Sequence, residues 1–453
     1  MKRPVFAASM AFVIGSWSAL ASSSVDIPFT KTKLSNGMTV IFHEDHGLPV
    51  VAVDVLYNVG SRFEAKGRTG FAHLFEHLMF MGTKRAPTGK FDEWMEAVGG
   101  HNNAWTSEDR TGYWDVGPKA CLNLFLWLEA DRLRDIGPLM TAEKLKAQRD
   151  VVRNERRQRT ENTPYGKGEI RLSELLYPVE HPYHHPPIGS HEDLEAATVQ
   201  DVKDFFATHY VPSNASMAVA GDFSREDAMR AIKAWMETVP TKDAPKDPGA
   251  PGFSDTKTTL TSVVTDTLTD DVELTKITYA WQTPRHFTLQ DAHLDLLGAV
   301  LGGGKSSRLY TALVVDKKLA QSVSAGESSG VLGSHFEISV LARPHVDLDV
   351  LEKAIDMEIE TVKKRGVRDA ELLRARNVLM TGFISSLQQV GTRAKLLNTY
   401  EMDTGDPGFI TKDLARYESA KPSDLQDVAT KYLMLDKRAV LRIVPKISEV
   451  KSR

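Results

Sequence analysis

Gly70-Phe71-Ala72-His73-Leu74-Phe75-Glu76-His77-Leu78-Met79-Phe80 contains no proline and is rich in helix-forming residues. In a helix, residues three and four apart share one face, so His73, Glu76 and His77 project together. Two imidazoles so placed can reach one metal ion, with a carboxylate beside them. The competing reading is an ordinary amphipathic helix whose apolar side is Phe71, Leu74, Phe75, Leu78 and Met79. Burying two imidazoles and a carboxylate among such neighbours is costly without a strong partner, and a metal is one. A catalytic zinc needs a third protein ligand and an open position for water. Glu155, in Val151-Val152-Arg153-Asn154-Glu155, supplies a carboxylate on a later helical segment.

Outward from this motif the chain divides nearly in half. Asp243 to Gly252 is a polar stretch rich in proline and glycine, as expected of a linker. Each half opens with strand-like segments, Met38 to Phe42 with Val50 to Tyr57 in the first and Glu273 to Trp281 in the second, before turning helical. Ala72-His73-Leu74 is echoed by Ala292-His293-Leu294, and Gln148 to Val152 more loosely by Ala375 to Leu379, which points to an old duplication. The expected fold is therefore α+β: two homologous domains, each a mostly antiparallel sheet with helices packed on one face. Expected boundaries are 1–21 for a signal peptide, 22–240 for the zinc-bearing domain, 241–257 for the linker and 258–453 for the homologous domain without metal.

The signal reading rests on Met1-Lys2-Arg3, an apolar run from Val5 to Trp17 and the small-residue series Ala19-Leu20-Ala21-Ser22. The run is shorter than the roughly 20 residues that span a bilayer, so a periplasmic or secreted protein with no membrane anchor is expected, cut after Ala21. Cys121 is the single cysteine, which excludes an intramolecular disulfide, and its apolar helical setting suggests a buried, inert thiol. A net charge of −4 offers no basic footprint for nucleic acid.

The inverted zinc motif, followed at a long interval by Glu155, resembles the insulinase and pitrilysin family, and mitochondrial processing peptidase is similar. The likeness extends over nearly all of the mature chain. It includes Gly60-Ser61-Arg62, Gly67 to Gly82, Gly99 to Thr106, Ile188-Gly189-Ser190, Tyr210 to Asn214 and Ala220-Gly221-Asp222. The resemblance implies a zinc metalloendopeptidase with His73, His77 and Glu155 as ligands and Glu76 as the general base that activates water. Gln148 departs from the pattern, since many relatives carry a Glu seven residues before the third ligand.

The same resemblance makes Asn103, Ala104 and Trp105 part of an edge strand that receives an extended peptide by strand addition. By periodicity alone, a hairpin strand with Trp105 in the core fits as well. His181, His184, His185 and His191 raise a rival metal site, although their proline-rich surroundings suit a loop. In the second half, Leu296 and Leu297 stand where Glu76 and His77 would recur. Val314 and Gln321 stand where complete peptidases of the family carry an Arg and a Tyr that bind substrate and polarise its carbonyl. The chain thus looks like the zinc-motif subunit of a bacterial two-subunit member, needing a homologous partner without the zinc motif that supplies the Arg/Tyr pair. Its substrates would be unfolded or short peptides enclosed in a chamber. The alternatives are a non-catalytic peptide-binding or assembly scaffold of the same family, and a protease dedicated to maturing one peptide.

Overall fold

The computed structural model describes residues 25–249 and 259–446. The expected signal segment and residues 250–258 lie outside the described residues. The first half builds a six-stranded sheet from β1 (Thr30–Lys33), β2 (Thr39–Glu44), β3 (Val50–Tyr57), β4 (His101–Thr106), β5 (Thr111–Pro118) and β6 (Ala215–Gly221), in the order β1-β2-β6-β3-β5-β4. The second builds a five-stranded sheet from β7 (Val264–Asp270), β8 (Lys276–Thr283), β9 (Ala320–Ser328), β10 (Ser334–Ala342) and β11 (Ala439–Pro445), in the order β7-β11-β8-β10-β9. Pairing is antiparallel except for β2 with β6 and β7 with β11. The two halves are thus two mixed sheets with helices, as the hydrophobic periodicity and the internal echo require.

β3 and β6 are buried at nearly every position, the mark of strands covered on both faces. On the helix side, Val51, Val53, Val55, Met217 and Val219 join a core with Phe75, Phe125 and Leu126. On the other side, the small residues Ala52, Ala218 and Ala220 meet Val390, Ala394, Leu397 and Tyr400. Those last four belong to helix Val390–Thr404, which comes from the second half of the chain.

The exchange is mutual. Helix Lys167–Leu176 of the first half lays Leu172, Leu175 and Leu176 on Ala280, Ala439, Leu441 and Ile443 of the second sheet. Gly168 lies against Ile443, whose Cδ1 would be 2.6 Å from a Cβ there and would have to turn aside. Each sheet therefore has its own helices on one face and one helix from the opposite half on the other. Asn398 pins the first crossover: its Nδ2 donates to Asp54 Oδ1 at 2.7 Å and its Oδ1 accepts from Ser216 Oγ.

A buried polar knot joins the halves at another point. Asp109 accepts from Tyr183 Oη at 2.7 Å and from the Val331 amide at 3.0 Å, and pairs with Arg62 Nε at 2.9 Å. Arg62 also holds Asp247, so the expected linker is fastened to the first half at a residue within it. Cys121 is buried and free. Among the described residues no helix is long and apolar enough to cross a membrane.

Candidate metal centre

Helix Phe71–Leu78 starts after Gly70, which sits at φ 88°. The buried Glu64 carboxylate accepts from the Gly70 amide at 2.9 Å and the Ala72 amide at 2.7 Å, capping donors that a helix start leaves unsatisfied. Burial pushes the Glu64 carboxyl well above the usual range, against these amides. A second loop locks the same point. Asp193 accepts from the Thr69 amide at 2.9 Å, Thr69 Oγ1 accepts from the Ser190 amide at 3.0 Å, and a Cβ on Gly189 would lie 2.3 Å from Gly70 Cα. Glu64, Asp193 and Gly189 thus position the helix. In the sequence the Ile188-Gly189-Ser190 stretch gives no sign of this role, and Glu64 and Asp193 belong to no motif. An acidic residue shortly before a helix start is the only local signal for Glu64.

His73 and His77 lie one turn apart on this helix with ring centroids 4.9 Å apart. Glu155 arrives from the last turn of helix Ala142–Arg156. Its Oε2 is 3.2 Å from His77 Nε2 and 3.7 Å from His73 Nε2, while its Oε1 meets Arg159 at 2.8 Å. One ligand atom from each of the three residues lies within 4.8 Å of the others, and no other such cluster occurs among the described residues. The chain passes directly from Glu155's helix into a π-helical turn, Arg157–Glu161, a distortion that often accompanies functional positions.

Burial, and then the neighbouring His77, lowers the His73 pKa to about 4, so its ring is a neutral donor through the physiological range. The hydrogen bond from His77 holds the Glu155 carboxyl below its ordinary value. Two imidazoles and a carboxylate are donor types that suit a divalent metal such as zinc. His73 Nδ1 is buried with no hydrogen-bond partner, so the ring facing Glu155 is held by packing. The residues present fit a divalent metal. Gln148 donates its amide to Met81 Sδ at 2.8 Å, so its described hydrogen bond leads away from the cluster.

Glu76 lies beside the cluster. Burial raises its pKa, partly offset by a hydrogen bond from Thr106 Oγ1 to its Oε2 at 2.6 Å. A carboxylate with a raised pKa is suited to accept and return a proton near neutrality.

Thr106 ends β4, which is an edge strand of the first sheet. The strand's two faces divide cleanly. Thr106 and Ala104 turn toward Glu76 and the helix-side core, whereas Trp105 lies on the opposite face, stacked on Gly112 and under Lys395 Nζ, 4.4 Å from the ring centroid. Trp105 is therefore half-buried on an edge strand and is not a full core residue. Asn103 is exposed, and its Oδ1 accepts from the Ala104 amide at 2.8 Å.

The other histidines do not converge. His181 Nδ1 accepts from the Tyr183 amide at 3.0 Å, His184 bonds the Tyr177 carbonyl at 2.7 Å and His191 bonds Glu161 at 2.9 Å. In the second half His293 is buried and Leu296 and Leu297 are core residues. Val314 is buried and Gln321 exposed on β9, an edge strand of that sheet.

Two family models match: insulinase (peptidase family M16) over residues 39–172 and peptidase M16 inactive domain over residues 196–379. The zinc protease PqqE of Helicobacter pylori is 33% identical over 402 residues, covering 88% of this chain and 89% of that protein. The probable mitochondrial-processing peptidase subunit beta of Arabidopsis thaliana is 26% identical over 427 residues, covering 91% and 78%. Among solved structures, a protease from Helicobacter pylori superposes with a TM-score of 0.86 at 30% identity over 93% of this chain and 100% of that one. The periplasmic protease PqqL from Escherichia coli shares the fold, with a TM-score of 0.74 at 17% identity over 93% of this chain and 48% of that one. With a relative this similar along most of both sequences, the chain belongs to the insulinase family, peptidase family M16.

Proposed function

We propose that the protein is a zinc-dependent metalloendopeptidase subunit that hydrolyses unfolded or short peptides. The observation that carries this reading is the meeting of His73, His77 and Glu155 from two helices with Glu76 alongside. His73, His77 and Glu155 would hold the metal, which when bound polarises the scissile carbonyl and makes water a stronger acid. The Glu76 carboxylate would then accept one proton from the attacking water and return it to the departing amine. The buried setting of Glu76 favours the protonated state midway, and Thr106 keeps the carboxylate oriented. An extended peptide would add to the free edge of β4 along Asn103, Ala104 and Trp105, where backbone hydrogen bonds give affinity with modest sequence preference.

Val314 and Gln321 offer neither a guanidinium nor a phenol for the substrate carbonyl, and such a donor contributes about 2.7–4 kcal/mol to the transition state. This supports a homologous partner supplying Arg and Tyr, the two closing a chamber around the peptide. The PqqL chain, about half of which this fold matches, has room for two such modules. The same lack favours the second reading, a non-catalytic peptide-binding subunit. The boundaries 22–240 and 258–453, and release to the periplasm after cleavage at Ala21, belong to this proposal.

Elemental analysis of the purified chain tests it. One zinc per chain, absent from His77→Ala, together with peptide hydrolysis that Glu76→Gln abolishes, is expected. A folded chain that takes up no metal on zinc addition removes the peptidase reading. Equal activity per milligram with and without the added homologous subunit removes the partner requirement.

A further inference from the structure

β4 has two ends. Thr106 touches Glu76, and His101, at the other end, lines a cavity of about 760 Å³ on the opposite side of the sheet. Its walls include Leu48, Val50, Trp114, Val116 and Val390, drawn from the sheet's outer face and from the start of the crossover helix. Charged groups at this cavity are drawn toward neighbouring side chains. Asp45 pairs with Arg393 at 2.6 Å, Asp54 is bonded by Asn398, and Lys395 covers the Trp105 ring. The surface left to receive a ligand is mainly apolar, and Leu48 stands 66% exposed at the rim. A concave site whose walls are mainly apolar takes an apolar side chain rather than an anion.

We propose that this cavity is a distal subsite that receives one apolar side chain, of aromatic size, from the peptide lying on β4. The inference rests on the edge-strand reading of substrate binding above. Spacing and side-chain parity argue for it. At about 3.4 Å per residue, the five steps from Thr106 to His101 span roughly 17 Å. Successive residues of a strand alternate faces, and residues opposite one another in neighbouring strands share a face. A peptide residue opposite Thr106 therefore points to the metal side. The residue an odd number of steps away, opposite His101, points to the side on which the cavity opens. The cavity thus selects a residue about five positions from the cut and sets where along a chain the cut falls.

The test uses the full chain carrying Glu76→Gln and fluorescein-labelled polar peptides of about 15 residues, with one phenylalanine or with serine in its place. Binding is read by fluorescence anisotropy. Phenylalanine is expected to tighten binding by about tenfold, the order set by withdrawing such a side chain from water. Leu48→Glu and, independently, Trp114→Ala should erase that ratio. With the parent chain, mass spectrometry of products should show the cut moving as the phenylalanine is moved, at a constant separation of about five residues. An undiminished ratio in both variants, or a cut indifferent to the phenylalanine, overturns the subsite. If the parent cleaves nothing, hydrolysis is the reading that has failed, and the binding ratio still decides the cavity's role.

Discussion

Thr106 Oγ1 lies 2.6 Å from Glu76 Oε2. This one hydrogen bond joins the edge strand to the helix that carries both histidines, so a peptide laid on β4 is indexed directly against the residue proposed as base. The bond favours the carboxylate over the acid, against the burial that raises the Glu76 pKa.

Thr106→Val removes the donor while keeping the shape of the side chain. The Glu76 pKa then rises further, and the base is ionised only at higher pH. The acidic limb of the kcat/KM profile should move to higher pH, so that the loss of activity is largest on the acidic side and shrinks as the pH rises. A profile that falls evenly at all pH values would mean that Thr106 serves only to place the strand.

Zinc that binds the folded chain and not the unfolded one stabilises it by mass action, about 4 kcal/mol at a free concentration 1,000 times Kd. Chelation should therefore lower the Tm of the parent and zinc should restore it. His77→Ala and Glu155→Gln should show neither response in differential scanning fluorimetry.

Glu64→Ala leaves the Gly70 and Ala72 amides without their buried acceptor. A cost of about 1–3 kcal/mol is expected from orphaning such donors. Because those amides begin the helix of His73 and His77, zinc affinity should fall with the midpoint of urea unfolding. Unchanged zinc affinity in a destabilised variant would separate the cap from the site.

Asp295 accepts from Tyr417 Oη at 2.6 Å, and burial raises its pKa to about 7. The native state holds this proton where the unfolded chain, with a carboxyl near 3.8, has released it. The group's stabilising contribution is full below the unfolded value and is lost as pH rises through about 7. Asp295→Asn keeps an acceptor and has no such loss. Its Tm relative to the parent should climb between pH 4 and pH 8, and a constant difference would refute the assignment.

Much of the candidate site was legible because it is local. His73, Glu76 and His77 share one helix face by spacing alone, and the third carboxylate could be sought on a later helix. The strands β3 and β8 could be read from their apolar runs. Other features join distant segments and leave no periodic trace. Glu64 reaches a helix start across a loop, and Asp193 and Gly189 arrive more than a hundred residues later. The helices Lys167–Leu176 and Val390–Thr404 show an apolar face in sequence, but nothing in that face says which sheet it will cover. Likewise Asp243 to Gly252 reads as free polar chain, yet Asp247 is held by the buried Arg62.

The mutual covering of the two sheets bears on how such a chain arose. A single ancestral half would have exposed the small alanines of its sheet's back and owned a helix with nowhere of its own to dock. Two copies satisfy each other by trading that helix, as in a domain-swapped dimer. On one chain the two halves meet intramolecularly, whereas separate copies would have to find each other in a concentration-dependent step. In the second half Leu296 and Leu297, at the positions of Glu76 and His77, belong to the core instead. Neither half should fold when expressed alone, and the whole should unfold in one transition.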